Sequence, residues 1–149
     1  PLQALKASIL NRLTKVLSQN KENNIKSLVA YLVAGDPCEE STLELLNGFA
    51  LSGVDVIEVG VPFSDPIAEG PIIQSAHDRS LKNGTNLKKI LKIIKSFRKS
   101  NSHTPIVLMG YINGFLANQS EFSNFSQQIS TLHFCSYPTL NLHLKNCSL

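Results

Sequence analysis

Three short apolar runs, separated by stretches with helical periodicity, constrain the fold of this chain most strongly. They span residues 27–33, 54–59 and 104–109. Short runs that are apolar at successive positions are typical of strands buried on both faces, as in parallel sheets. Strands that alternate with helices predict βαβ units, in which each helix crosses over between two parallel strands. The sequence therefore predicts an α/β fold.

The segments around these runs carry helical patterns with recognisable ends. Gly53 is placed as a helix C-terminal glycine, Pro71 suits a first helical turn, and Gly84 suits a helix end. Thr85 or Asn86 can cap the next helix. We predict helices over residues 4–18, 39–51, 71 to about 84, 86–99 and 121–130.

Size and composition limit the possible classes of protein. The 149 residues, 42% of them hydrophobic, suffice for one globular core, but a complete (β/α)₈ barrel has about 250 residues. The net charge of +3 favours neither an obligate nucleic-acid partner nor an acidic one. No apolar run approaches the roughly 18 residues of a membrane span, and the first residues lack a signal-peptide pattern.

The three cysteines, Cys38, Cys135 and Cys147, follow neither a disulfide nor a zinc-ligand pattern. We interpret them as reduced thiols, which predicts a cytoplasmic protein without a metal site.

Two carboxylates flank the loop that follows the second apolar run. Glu58 lies near the end of that run, and Glu69 lies just before the helix that begins at Pro71, with Pro62 and Pro66 stiffening the loop. Ligands of parallel α/β proteins bind at the C-terminal ends of strands. A pair of acids there can transfer protons to and from a substrate.

Four motifs in this region resemble the tryptophan synthase alpha chain family. They are Ala-Gly-Asp-Pro (34–37), Glu-Val-Gly-Val-Pro-Phe-Ser-Asp-Pro (58–66), Gly-Pro-Ile-Ile-Gln (70–74) and Leu-Met-Gly-Tyr-Ile-Asn (108–113). The resemblance implies a partial (β/α)₈ TIM barrel that contains only the N-terminal βα units. It also implies a lyase of tryptophan biosynthesis that cleaves indole-3-glycerol phosphate to indole and glyceraldehyde 3-phosphate.

The resemblance implies roles for individual residues. Glu58 matches the general acid/base, and Glu69 matches the second catalytic carboxylate, which the family normally supplies as Asp. Tyr31 and Tyr111 match positions near the indole pocket, although each can equally be a core aromatic with a satisfied hydroxyl. The loop that communicates with the beta chain would contain Asp65 and Pro66, and Asn113 would lie near the same interface.

The implied partner is the tryptophan synthase beta chain, in a heterotetramer of two alpha and two beta chains. Pyridoxal phosphate would belong to that partner, so this chain needs no cofactor of its own. We expect neither a nucleic-acid nor a membrane partner.

The C-terminal part departs from the family pattern. We expect residues 1–130 to form the N-terminal part of a TIM-barrel lyase domain and residues 131–149 to be an atypical tail, explained by a reading-frame change or an early stop. The lyase site would then be incomplete. The alternative function is a non-catalytic remnant that docks on the beta chain.

Several charged residues have simpler explanations than a functional role. Asp36 reads as a turn residue before a proline, and His77 and Arg79 read as solvated helix residues. The lysines of the helix over residues 86–99 could form a basic surface-binding module. An outer barrel helix with its lysines facing solvent explains them better.

Overall fold

The computed structural model describes residues 2–67, 69–111 and 132–137, with side chains described for residues 12–67 and 69–111. Helices and strands alternate along most of this length, as the sequence predicts. In chain order the elements are α1 (Leu2–Glu22), β1 (Val29–Val33), α2 (Glu39–Leu51), β2 (Val56–Gly60), α3 (Pro71–Lys82), α4 (Leu87–Ser100), β3 (Ile106–Tyr111) and β4 (Leu132–Tyr137).

The four strands form one sheet in the order β1-β2-β3-β4, and every neighbouring pair is parallel. The predicted parallel βαβ arrangement is therefore confirmed. The register places Tyr31 beside Glu58 and Glu58 beside Val107. Because side chains alternate between the two faces of a strand, these three residues share one face of the sheet.

The opposite face of the sheet carries the hydrophobic core. Ile57 and Val59 of β2 are fully buried there. They belong to one cluster with Leu46 of α2 and with the apolar face of α4, which contributes Leu87, Ile90, Leu91, Ile94 and Phe97. Burying each such aliphatic or aromatic side chain stabilises the fold by about 1.5–3 kcal/mol. The helices α2 and α4 thus cover one side of the sheet and leave Glu58 on the other.

The predicted ends of α2 and α3 and the predicted start of α4 agree with the observed backbone. Gly53 and Gly84 follow α2 and α3 with φ angles of +83° and +70°, a region that glycine adopts without a Cβ penalty. Asn86, rather than Thr85, caps α4, since its side-chain oxygen accepts a hydrogen bond from the Lys89 N–H at 3.1 Å. Helix α1 continues to Glu22, beyond its predicted end.

Three strand predictions need correction. The predicted first strand began at residue 27 and was buried on both faces, but β1 begins at Val29, which is exposed, and burial on both faces is reached only at Leu32 and Val33. The third strand was predicted over residues 104–109, but β3 begins at Ile106 and runs on through Tyr111. Strand β4 lies in a segment for which the sequence predicted no barrel element. The predicted helix over residues 121–130 lies outside the described residues.

The lysine-rich helix α4 is an outer barrel helix. Its apolar face is buried in the core, and Lys89 forms an ion pair with Glu39 of α2 at 2.5 Å. Because α4 is packed against the sheet in this way, it does not form a basic surface-binding module separate from the fold. Among the described residues, no helix is long and apolar enough to cross a membrane.

Candidate active site

Glu58 occupies the centre of β2 on the side of the sheet that α2 and α4 do not cover. Its neighbours along the strand, Ile57 and Val59, are fully buried, whereas Glu58 is half-buried. Burial raises the pKa of the Glu58 carboxyl above its ordinary value of 4.5, because the charged form loses part of its hydration. A raised pKa makes a carboxyl better suited to donate a proton and then recover it.

Tyr31 lies next to Glu58 across the β1–β2 pair and leans over Gly60 at the end of β2. A Cβ atom on Gly60 would collide with the Tyr31 hydroxyl, so glycine is what leaves room for the ring. The half-buried ring is therefore placed along the strand, on the C-terminal side of Glu58.

Glu69 lies in the β2–α3 loop, directly before the α3 N-cap residue Gly70. Its Oε2 accepts a hydrogen bond of 2.6 Å from the hydroxyl of Tyr111, the last residue of β3. Tyr111 is 2% exposed, so this bond anchors a half-buried carboxylate to a buried side chain. The hydroxyl of Tyr111 is thus satisfied, and the tyrosine also touches the second predicted acid.

Phe63 adds a further contact to this pair. Its ring stacks on the Tyr111 ring with 4.6 Å between centroids and 21° between planes. The Phe63 N–H donates a 2.9 Å hydrogen bond to Nδ1 of His77 in α3. The prediction that His77 is solvated is wrong: it is 2% exposed, because the β2–α3 loop folds over its side of the helix.

Arg79 and Asp36 join α3 to the β1–α2 turn. Nε and one terminal nitrogen of Arg79 lie 2.7 and 2.8 Å from the two carboxylate oxygens of Asp36, a bidentate pair. This pair raises the pKa of Arg79. Arg79 is exposed, as predicted, but it is not free in solvent, and Asp36 has a partner beyond its turn. Ser80 and Asn83 donate hydrogen bonds to backbone carbonyls of the same turn.

The predicted partner-interface residues are only partly visible. Asp65 is exposed and accepts a 2.6 Å hydrogen bond from the Ser64 hydroxyl. Pro66 is buried, and its carbonyl accepts a 2.9 Å hydrogen bond from the Gln74 side chain. Asn113 lies outside the described residues. Within those described, no cluster of three or more His, Cys, Asp or Glu side chains could hold a metal ion.

The structure brings the predicted site residues together as two pairs. Tyr31 lies beside Glu58 on the adjacent strand, and the Tyr111 hydroxyl at the end of β3 donates a hydrogen bond to Glu69 in the β2–α3 loop. Sequence reasoning missed His77 and Phe63. No hydrophobic period marked His77, because the contact that covers it comes from Phe63 in the β2–α3 loop.

Four parallel strands with intervening helices, and carboxylates on β2 and in the loop that follows it, fit the N-terminal units of a (β/α)₈ barrel. A family model described as "Tryptophan synthase alpha chain" matches residues 17–134. The chain belongs to the tryptophan synthase alpha chain family.

Individual relatives agree. The tryptophan synthase alpha chain of Marinobacter nauticus is 48% identical over 104 residues, which is 70% of this chain and 38% of the relative. That of Legionella pneumophila (strain Corby) is 43% identical over 119 residues, 80% of this chain and 43% of the relative. The chain thus spans about two fifths of the length of these curated relatives.

Solved structures show the same partial coverage. The alpha subunit from Legionella pneumophila strain Paris superposes with a TM-score of 0.75 at 39% identity, over 80% of this chain and 46% of that one. A chain from the Pyrococcus furiosus tryptophan synthase α₂β₂ complex gives a TM-score of 0.67 at 42% identity, over 74% of this chain and 45% of that one. The prediction of a partial TIM barrel is therefore confirmed.

Proposed function

We propose that this chain supplies the proton-transfer side of a tryptophan synthase alpha-chain lyase, which cleaves indole-3-glycerol phosphate to indole and glyceraldehyde 3-phosphate. The observation that carries the proposal is that two carboxylates occupy β2 and the loop that follows it: a half-buried Glu58, whose pKa is raised, and a Glu69 held in place by Tyr111. The family membership supports it.

The reaction is a retro-aldol cleavage that needs two acids. Carbon 3 of the indole ring gains a proton before its bond to the glycerol carbon breaks, and the glycerol hydroxyl loses a proton as the aldehyde forms. Glu58 is suited to this donation and return, because its raised pKa brings it closer to neutrality. Glu69 would sit at the indole nitrogen and stabilise the positive charge that develops on the ring.

Position 69 carries Glu where the family normally has Asp, so its carboxylate reaches one methylene further. The hydrogen bond from Tyr111 restrains that longer side chain. Misplacement by about 1 Å can lower a rate on the order of 10²-fold, so this restraint bears directly on activity. Tyr31 and Tyr111 would line the indole pocket.

The proposed partner is the tryptophan synthase beta chain, as in the α₂β₂ complex of Pyrococcus furiosus. Asp65, Pro66 and Asn113 are the residues that we assign to this interface. Pyridoxal phosphate would remain on the beta chain, and this chain is assigned no cofactor. A cytoplasmic location stays a prediction from the cysteine pattern. Retention of both carboxylates favours the lyase over the docking-only alternative.

The test is indole release from indole-3-glycerol phosphate by the purified chain, alone and with beta chain added. We expect turnover that Glu58→Gln abolishes and Glu44→Gln, a change at an exposed helix position, leaves unchanged. Turnover that survives Glu58→Gln would contradict the assignment. Stimulation of the beta chain with no indole release under any condition would replace it with the docking-only function.

A further inference from the structure

His77 is a buried polar residue that the lyase chemistry does not use. It lies in the second turn of α3, is 2% exposed, and accepts the Phe63 N–H at 2.9 Å. Its Nε2 is buried and has no hydrogen-bond partner among the described residues. Within the described part of the chain, the bond to the Phe63 backbone is therefore the polar interaction that orients the imidazole ring.

The direction of this bond defines the state of the ring. Nδ1 can accept a hydrogen bond only when it carries no proton, so the neutral ring has its proton on Nε2. Burial lowers the pKa of His77, and the charges of Glu69 and Asp78 act in the opposite direction. Protonation at Nδ1 would place the His77 N–H opposite the Phe63 N–H. Two donors cannot share a hydrogen bond, so the bond between Phe63 and His77 would break.

Helix α3 holds the β2–α3 loop at further points. The Gln74 side-chain amide donates to the carbonyls of Pro66 and Glu69, at 2.9 and 2.8 Å. Gln74 and His77 are three residues apart and so share a face of the helix. Together they attach the early, middle and late parts of the loop to one rigid element.

The loop in turn connects His77 to the second acid. Phe63, fixed through its backbone by His77, stacks on Tyr111, and the Tyr111 hydroxyl bonds to Glu69. A shift of the Phe63 backbone would move its ring against Tyr111, and Tyr111 carries the hydrogen bond to Glu69. The four residues form one continuous series of contacts from helix to carboxylate.

We propose that His77 is a positioning residue, which acts through Phe63 and Tyr111 to set the place of Glu69. The effect of His77 on catalysis rests on the proposed lyase function. Its effect on the position of Glu69 does not. The neutral Nδ1 acceptor is the chemical property that this role requires.

Two substitutions of similar shape separate the acceptor from the bulk of the side chain. In His77→Asn, the amide oxygen takes the place of Nδ1 and can still accept the Phe63 N–H. In His77→Leu, the branched side chain fills the space but offers no acceptor. We expect amide exchange of Phe63, followed by ¹⁵N NMR on the full chain, to be roughly fivefold faster in the Leu variant and close to wild type in the Asn variant. The Tyr111 and Glu69 resonances should shift with the Leu variant only.

A pH titration of the unchanged protein covers the case in which the Leu variant does not fold. The Phe63 amide shift should move with the same midpoint as the His77 ring, and below pH 6.5, since burial lowers that pKa. Below the midpoint, long-range ¹H–¹⁵N spectra should show the loss of the Nε2–H tautomer. A Phe63 amide that ignores both the Leu substitution and the His77 titration would overturn the inference.

The catalytic consequence is measured separately. Where the wild-type chain releases indole, His77→Leu should lower kcat by about tenfold to a hundredfold and His77→Asn should restore most of it. Equal kcat in the two variants would reject His77 as a positioning residue for catalysis. A wild-type chain without activity would reject the proposed lyase function, while the NMR results would still decide whether His77 sets the position of Glu69.

Discussion

The hydroxyl of Tyr111 donates a 2.6 Å hydrogen bond to Glu69, and so couples the last residue of β3 to the loop before α3. One partner is buried and the other is half-buried, so the bond forms where water competes weakly with it. The carboxylate that differs from the family pattern is therefore held by a strand residue rather than by its own loop alone.

Replacement of Tyr111 by phenylalanine should destabilise the fold by about 1.5–3 kcal/mol, since it removes a hydrogen bond to a charged group and leaves the carboxylate partly unsatisfied. The free energy of unfolding from urea titration measures this. Because Tyr111 has a further interaction, a double-mutant cycle with Glu69→Ala is needed to isolate the pair. Additive effects of the two substitutions would show that the bond contributes nothing to stability.

Much of the fold is predictable from the sequence because the apolar runs and the turn residues act locally. The runs 54–59 and 104–109 have the composition of buried strands, and Gly53, Gly84 and Asn86 mark helix ends by their backbone and capping chemistry. Strand β4 was missed because its strand character depends on pairing with β3, which no local pattern in the tail reveals.

Substitution of Glu58 by glutamine should change the pH dependence of stability. Burial raises the pKa of Glu58 in the folded state, so folding favours its neutral form. Below about pH 4.5 the carboxyl is neutral in both the folded and unfolded states, and the two proteins should differ least. As the pH rises through the folded-state pKa, the wild type loses the stability that the neutral Glu58 carboxyl contributes, and the Gln variant, which cannot ionise, does not. Thermal unfolding between pH 4 and pH 8 should therefore show a growing advantage for Glu58→Gln, and none for the exposed control Glu44→Gln. A constant difference across this range would contradict the raised pKa.

The substitution Gly60→Ala should lower the free energy of unfolding, whereas Gly48→Ala should raise it. A Cβ at position 60 meets the Tyr31 ring, and overpacking of this kind costs about 1–3 kcal/mol. Position 48 lies inside α2 with no atom near a new Cβ, where alanine should stabilise by about 1 kcal/mol. Guanidinium titrations compare the two. If the cost at position 60 comes from the ring, Tyr31→Leu should relieve it, and an undiminished cost in that background would point to the backbone instead.

The two carboxylates of the candidate site were predictable from the sequence, whereas the burial of His77 was not. Both carboxylates stand in motifs, but hydrophobic periodicity misleads on α3. There Ile72 is 80% exposed while His77 is 2% exposed, because the β2–α3 loop rather than the core of the sheet covers that side of the helix. A helix face that is covered by a loop need not be apolar, so its burial leaves no hydrophobic periodicity in the helix sequence.

The cap of α4 offers a test of the boundary chemistry. Asn86→Ala removes the side-chain oxygen that accepts the Lys89 N–H and should destabilise the chain by about 1 kcal/mol, because an orphan N–H at the helix start loses its partner. Asn86→Asp keeps an acceptor and places a negative charge at the positive end of the helix dipole, so it should match or exceed the wild type. Urea unfolding followed by circular dichroism ranks the three proteins. Equal stability of the Ala and Asp variants would mean that the buried apolar face of α4, not its cap, determines where the helix begins.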